Sequence, residues 1–321
     1  MARHSETAYR SRRSHVRIAG LCFLSLSFGV GIWMSISFMR VFAEVPYVQS
    51  AAVAQSFGFE NPYARMSLVA QSAIVVDSES GEMFYERNAD AQLPLASLTK
   101  VALVLAVSEV LSPEMLIQIP ADTMPNSNAG SLLTGERWRV RDLIAYTLSA
   151  SSNDGANILA HSAEDGLRAR YGNSVESAVV RRMNDIAKTL HLQTMYFLNA
   201  TGLDISDTQS GTYGSARDVA ALFSFASRYP DLFSSTATSS LVITSEGFRT
   251  IRITNTDTAI ESYPGVLMGK TGYTNLAGGN LALVFENNGK RFVAVILGST
   301  QEGRFSDMRQ LVAATIMKSA H

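Results

Sequence analysis

Residues 279–300 read GNLALVFENNGKRFVAVILGST, two apolar and β-branched runs joined by Asn287-Asn288-Gly289-Lys290. Asn-Gly between such runs is a strong hairpin signal, because the tight turn that matches strand twist needs positive φ at both central residues. Immediately downstream, SDMRQLVAATIMKSA (306–320) has helical period, with Ser306 in position to cap it. Upstream, LVIT (241–244) and FRTIRIT (248–254) alternate as strands do, and AIVVD (73–77), SESG (78–81) and EMFYE (82–86) spell a second hairpin. Between the two hairpins the pattern is helical: SLTKVALVLAVSEVL (97–111) has no Gly or Pro before Pro113, and it is followed by VRDLIAYTLSA, NDGANILAHSAEDGL, SAVVRRMNDIAKTL and SARDVAALFSFASRY. A hairpin, then helices, then strands, then a closing helix predicts an α+β fold, an antiparallel sheet flanked by helices with an inserted all-α lobe.

The chain has 321 residues, 46% apolar and 17% charged, a profile that excludes disorder as the dominant state. Its 27 basic and 28 acidic residues nearly cancel and no basic stripe appears, which argues against a nucleic-acid partner. The first 17 residues carry Arg3, Arg10, Arg12, Arg13 and Arg17 against Glu6, and residues 18–39 then run without a charge. At about 1.5 Å per residue that stretch spans a hydrocarbon core of roughly 30 Å. The pattern predicts a cytoplasmic basic tail (1–17), a single transmembrane helix (18–39), a linker (40–66) and a folded domain (67–321) outside the cytoplasm. The alternative is a cleaved signal sequence ending near Val41-Phe42-Ala43, which would leave a secreted or periplasmic protein. Cys22, the one cysteine, lies inside this apolar segment, so the folded domain has neither disulfide nor cysteine chemistry. Five scattered histidines without an H-E-x-x-H pattern support no metal site, and no cofactor motif appears.

Only five of the 27 basic residues are lysines: Lys100, Lys188, Lys270, Lys290 and Lys318. Lysine, unlike arginine, can lose its proton near neutral pH when buried. Two of the five fall in short motifs that stand in order: Ser97-Leu98-Thr99-Lys100 near a helix start, Ser151-Ser152-Asn153 in a loop before a helix, and Lys270-Thr271-Gly272 on a strand. Each recurs by chance; their order, separation and placement together do not. Ser97 and Lys100 are three apart on a helix, so the amine can reach the hydroxyl. A serine nucleophile needs such a base, and desolvation beside a second lysine would lower the amine's pKa toward the working range. The helix amino terminus offers the backbone N–H of Ser97 to a developing oxyanion.

The trio resembles that of the penicillin-binding, active-site-serine enzymes, and the surrounding text is most similar to the serine-type D-alanyl-D-alanine carboxypeptidases. The phrases that carry the resemblance are AIVVDSESGEMFYERNAD, LPLASLTK, LIAYTLSASSNDGANILA, FLNATGLD, YGSARDVAALF, GVLMGKTGYTNLAGGNLALVF and RFVAVILGST, within about residues 70–318. The resemblance implies a β-lactamase/transpeptidase-like fold and no cofactor. It further implies that Ser97 attacks the bond between the last two D-alanines of a peptidoglycan stem peptide, in wall remodelling and cell-shape control. Lys100 would take the proton of Ser97 and Ser151 would relay one to the leaving D-alanine. Asn153 would hold the substrate's amide carbonyl, and Lys270 and Thr271 its terminal carboxylate. Gly272 and Tyr273 continue that strand, and the N–H groups of Ser97 and Tyr273 would form the oxyanion hole. β-Lactams would acylate the same serine.

Three other readings share parts of this pattern. A class A β-lactamase needs an E-x-x-L-N phrase after Ser151, which is absent. A cross-link endopeptidase of the same family suits GKTGYTNLAG equally well, and a non-catalytic wall or β-lactam sensor would keep the fold but not need the intact motifs. The chain ends without the β-rich domain and amphipathic anchor of many relatives, so anchoring is expected from residues 18–39. The NTDTAI phrase (255–260) also departs from the family pattern. Asn199-Ala200-Thr201 is read as part of a structural turn, Ser152 as loop filler, and Arg137, Arg139, Arg141, Arg181 and Arg182 as solvated faces.

Overall fold

A computed structural model describes residues 61–120, 132–172 and 175–320. The expected hairpins form the core: β1 (Ser72–Asp77), β2 (Met83–Arg87), β3 (Val266–Thr274), β4 (Gly278–Asn287) and β5 (Lys290–Ser299) make one antiparallel sheet in the order β3-β4-β5-β1-β2. Asn287 pairs with Lys290, and the two residues between them, Asn288 and Gly289, have φ of 50° and 74°, as the tight hairpin turn demands. Every residue of β1 is buried, because helices cover both faces of the sheet.

The longer helices are α1 (Thr99–Val107), α2 (Val140–Ser149), α3 (Asn153–Tyr171), α4 (Ala178–Thr189), α5 (Ala216–Ala226) and α6 (Gly303–Ser319). Against one sheet face, Phe305, Met308, Leu311 and Val312 of α6 meet Val75, Leu283, Phe285, Phe292 and Ala294. The opposite face lies against α5, while α2, α3 and α4 gather around α1 as the helical lobe. All nine residues of α1 are buried, which is why its sequence is apolar all round and shows no amphipathic stripe.

Several expectations are corrected in detail. The helix after Ser97 stops at Val107, well before Pro113. Ser306 is not a cap: α6 already begins at Gly303, whose N–H donates to Thr300 Oγ1 (2.8 Å), and Ser306 Oγ donates back to the Gly303 carbonyl. Ser152 is more than filler, since its hydroxyl accepts from Gly155 N (3.0 Å) and caps α3. The 241–254 strands form a separate two-stranded ribbon, Ser240–Thr244 with Thr250–Thr254. Arg182 is not on a solvated face; it is buried and donates to both carboxylate oxygens of Glu109. The folded region also reaches back before residue 67, because Tyr63 stacks on Tyr85 and shares a hydrogen bond with Thr315 Oγ1 (2.9 Å). The apolar segment 18–39 lies outside the described residues, and among those described no helix is long and apolar enough to cross a membrane.

Candidate active site

The site forms where α1, the start of α3 and the edge strand β3 converge. Leu95 N donates to the Thr212 carbonyl, and Ala96–Leu98 then make one 3-10 turn that runs directly into α1. Ser97 therefore sits in the turn before the α-helix rather than in its first residues. Ala96 enters that turn at φ 50°, and Ser151 ahead of α3 stands at φ 55°. Left-handed backbone at non-glycine residues costs on the order of 1 kcal/mol each, and here it falls on Ser151 itself and on the neighbour of Ser97.

Lys100 is fully buried, and its Nζ lies 2.8 Å from Ser97 Oγ, 2.8 Å from Asn153 Oδ1 and 2.9 Å from the Thr201 carbonyl. Burial pulls its pKa from the ordinary lysine value down to about 7. That burial, rather than the charge of Lys270, carries the shift. A neutral amine has two N–H bonds and one lone pair. Asn153 Oδ1 and the Thr201 carbonyl can only accept, so they take the two N–H bonds and leave the lone pair facing the Ser97 hydroxyl. When Lys100 is neutral, this arrangement turns its lone pair toward the Ser97 hydroxyl.

Thr201 is a member of the site that the sequence motifs did not reveal, because it contributes a main-chain oxygen. Its turn is built by Asn199, whose Oδ1 accepts from Thr201 N and Gly202 N. Gly202 has φ of +80°, and a Cβ there would stand 2.0 Å from the Ala96 carbonyl. The FLNATGLD phrase is thus structural, as read, and also supplies an acceptor for Lys100.

Lys270, in the middle of β3, is 2% exposed, with Nζ 2.8 Å from Ser151 Oγ and 2.8 Å from the Thr271 carbonyl. Burial first, then the charges of Lys100 and Arg304, push its pKa well down, against an upward pull from Asp257. Thr271 Oγ1 lies 2.6 Å from Thr256 Oγ1, so the departing 255–260 phrase does touch the strand of the site. Gly272 permits the closest approach: a Cβ there would be 2.8 Å from the Leu95 carbonyl and 3.2 Å from Ser97 N. The next residue, Tyr273, is half exposed. Of the eight residues singled out by sequence, Lys100 and Asn153 lie on α1 and α3, Ser97 and Ser151 in the turns that lead into them, and Lys270, Thr271, Gly272 and Tyr273 on β3; no cluster of metal-ligating side chains occurs among the described residues.

A half-buried serine backed by a buried lysine, with a second serine–lysine pair opposite, is the apparatus of an active-site-serine acyl-transfer enzyme. The sequence matches the family described as D-alanyl-D-alanine carboxypeptidase over residues 59–301, and the chain belongs to that family. A D-alanyl-D-alanine carboxypeptidase of Mycobacterium tuberculosis is 32% identical over 236 residues, covering 73% of this chain and 77% of the relative. One from Bacillus subtilis is 29% identical over 237 residues, 72% of this chain but only 58% of the relative's length. A D-alanyl-D-alanine endopeptidase of Pseudomonas aeruginosa is 28% identical over 220 residues, 67% of this chain and 66% of the relative. Among solved structures, penicillin-binding protein D2 of Listeria monocytogenes in its ampicillin-bound form superposes with a TM-score of 0.65 and 27% identity, over 78% of this chain and 98% of that one. The α+β fold read from the hairpins is the penicillin-binding-protein fold.

Proposed function

We propose that the protein removes the terminal D-alanine from peptidoglycan stem peptides through an acyl-enzyme on Ser97. The observation that carries this reading is the hydrogen-bond arrangement of Lys100, whose two acceptor-only partners leave its lone pair for Ser97. Ser97 Oγ attacks the carbonyl of the penultimate D-alanine as Lys100 takes its proton. Backbone N–H groups of Ser97 and Tyr273, brought together by Gly272, hold the oxyanion. Ser151, bonded to Lys270, relays the proton that Lys100 took to the leaving amine as the C–N bond breaks, so that Lys100 is neutral again for the attack of water. Asn153 spends its oxygen on Lys100, which leaves its amide N–H bonds for the substrate carbonyl. Lys270 and Thr271 receive the terminal carboxylate, and water then hydrolyses the ester and returns Ser97. β-Lactams acylate the same serine.

The purified full-length protein, incubated with muropeptides, is expected to release one D-alanine from pentapeptides by mass spectrometry. Conversion of cross-linked dimers to monomers instead would replace this reading with the endopeptidase one. Ser97→Ala is expected to abolish labelling by a fluorescent penicillin, and undiminished labelling would overturn the nucleophile assignment. We also propose that residues 18–39 hold the enzyme in the cell membrane with its site outside the cytoplasm. The support is the run of 22 uncharged residues behind five arginines. Recovery of the full-length chain in the soluble cytoplasmic fraction would sink that placement.

A further inference from the structure

The NTDTAI phrase (255–260), which departs from the family pattern, packs beside the strand that carries Lys270 and Thr271. Its first three residues are pinned from several sides. Asn255 N donates to the Ser239 carbonyl (2.8 Å), and Asn255 Nδ2 donates to the carbonyls of Thr236 and Thr238 (2.9 Å each). Asp257 N donates to Asn255 Oδ1 (2.9 Å), and Asp257 Oδ1 accepts from Ala259 N (3.0 Å). Between these two buried residues, Thr256 N donates to the carbonyl of Ser149 (2.9 Å), the last residue of α2 and close before Ser151. On its other side Thr256 Oγ1 lies 2.6 Å from Oγ1 of Thr271, which is itself buried. Thr256 therefore joins the approach to Ser151 to the middle of β3, and its backbone bonds fix where its hydroxyl stands.

Two hydroxyl oxygens 2.6 Å apart need a hydrogen between them, and either threonine is able to supply it. Thr256 Oγ1 also lies 3.4 Å from the Ser149 carbonyl, which can only accept. Two proton arrangements fit these heavy atoms. In one, Thr256 donates to Ser149 and Thr271 donates to Thr256. In the other, Thr256 donates to Thr271, and the Thr271 proton is turned elsewhere. An ionised carboxylate accepts and never donates. Once Thr271 gives its one proton to a carboxylate, the first arrangement is excluded, and the short contact survives only with the Thr256 proton in it. The exchange gives up a contact longer than an ordinary O–H···O bond and keeps the short one.

We propose that Thr256 is a positioning residue for carboxylate recognition: its hydroxyl donates to Thr271 Oγ1 and so commits the Thr271 proton to the terminal carboxylate of the substrate. This rests on Thr271 as a carboxylate-binding group. The donated bond occupies a lone pair of Thr271 Oγ1 and fixes the rotation of that hydroxyl. Chains of hydrogen bonds polarise one another, so it also strengthens the bond to the carboxylate. Valine has the shape of threonine without the hydroxyl, so Thr256→Val removes this donor and keeps the backbone bond to Ser149.

The test compares acylation of the full-length protein by a penicillin with its free carboxylate and by the methyl ester of the same penicillin, read as the ratio of the two rate constants. Thr256→Val is expected to lower the free-acid-to-ester ratio about fivefold, the worth of one net hydrogen bond. Thr256→Ser, which keeps the hydroxyl, should return most of it. In a Thr271→Val background, adding Thr256→Val should lower the ratio no further, because the two hydroxyls act as one chain. An unchanged or raised ratio in Thr256→Val, an equal loss on both ligands, or a Ser variant as poor as the Val variant would each overturn the proposal. A further loss in the Thr271→Val background would overturn it too, since Thr256 would then meet the carboxylate directly. A wild-type protein that acylates equally fast with acid and ester would instead strike the assignment of Lys270 and Thr271 to the carboxylate.

Discussion

Arg182 in the helical lobe and Lys100 at its border are both buried cations, yet their surroundings are opposite. Arg182 meets the Glu109 carboxylate through Nε and Nη2, at 3.0 and 2.7 Å to Oε1, and stacks over Tyr171 with its guanidinium carbon 4.6 Å from the ring centroid. Lys100 meets a hydroxyl, an amide oxygen and a peptide carbonyl, and no carboxylate. A buried charge is tolerable when an opposite charge is hydrogen-bonded to it. Without one, the group shifts its pKa and gives up the charge. The first arrangement ties the turn after α1 to α4 and the end of α3; the second leaves an amine that can shed its proton near neutral pH.

The sharpest way to break this contrast is to make the site cation permanent. Lys100→Arg should slow acylation by a fluorescent penicillin about 10²- to 10⁴-fold, the usual contribution of a general base, because a guanidinium does not deprotonate in this range. In the wild-type protein the same rate should climb as pH rises through about 7, where Lys100 loses its proton, and level off above. A flat profile across that window, or a normal rate in the Arg variant, would remove Lys100 as the base.

The complementary change unpairs the structural cation. Glu109→Gln leaves Arg182 buried without its counter-charge and should cost about 3–5 kcal/mol in urea unfolding. Replacing both residues together, Glu109→Leu with Arg182→Met, should recover most of that loss, and a double variant as unstable as the single one would show that the pair is not the source. The smallest effect is expected at Ser152→Ala, where loss of the α3 cap should lower stability by about 1 kcal/mol in the same assay.

Much of this molecule could be read before its structure. The two hairpins announce themselves through local chemistry, Asn288-Gly289 above all, and the three short motifs that hold Ser97 and Lys100, Ser151 and Asn153, and Lys270 and Thr271 are brought within hydrogen-bond reach of one another. What remained hidden depends on long-range partners. The Glu109–Arg182 pair joins residues 73 positions apart, and nothing near either one marks it. Thr201 serves through a carbonyl, which every residue possesses. Thr256 looks ordinary in sequence and meets Thr271 only when its loop packs beside β3. Ser306 shows the reverse failure: a residue well suited to a cap is passed over because Thr300 captures the helix start three residues earlier.

The three hydrogen-bond partners of Lys100 come from the 3-10 turn, the first residue of α3 and the 199–202 turn, segments spread over more than a hundred positions of chain. An unfolded or half-assembled chain carries the same serine and lysine, but as an ordinary alcohol beside an ordinary ammonium. Reactivity toward a β-lactam is therefore a property of the finished assembly, and labelling measured during refolding would serve as a clock for the last docking event.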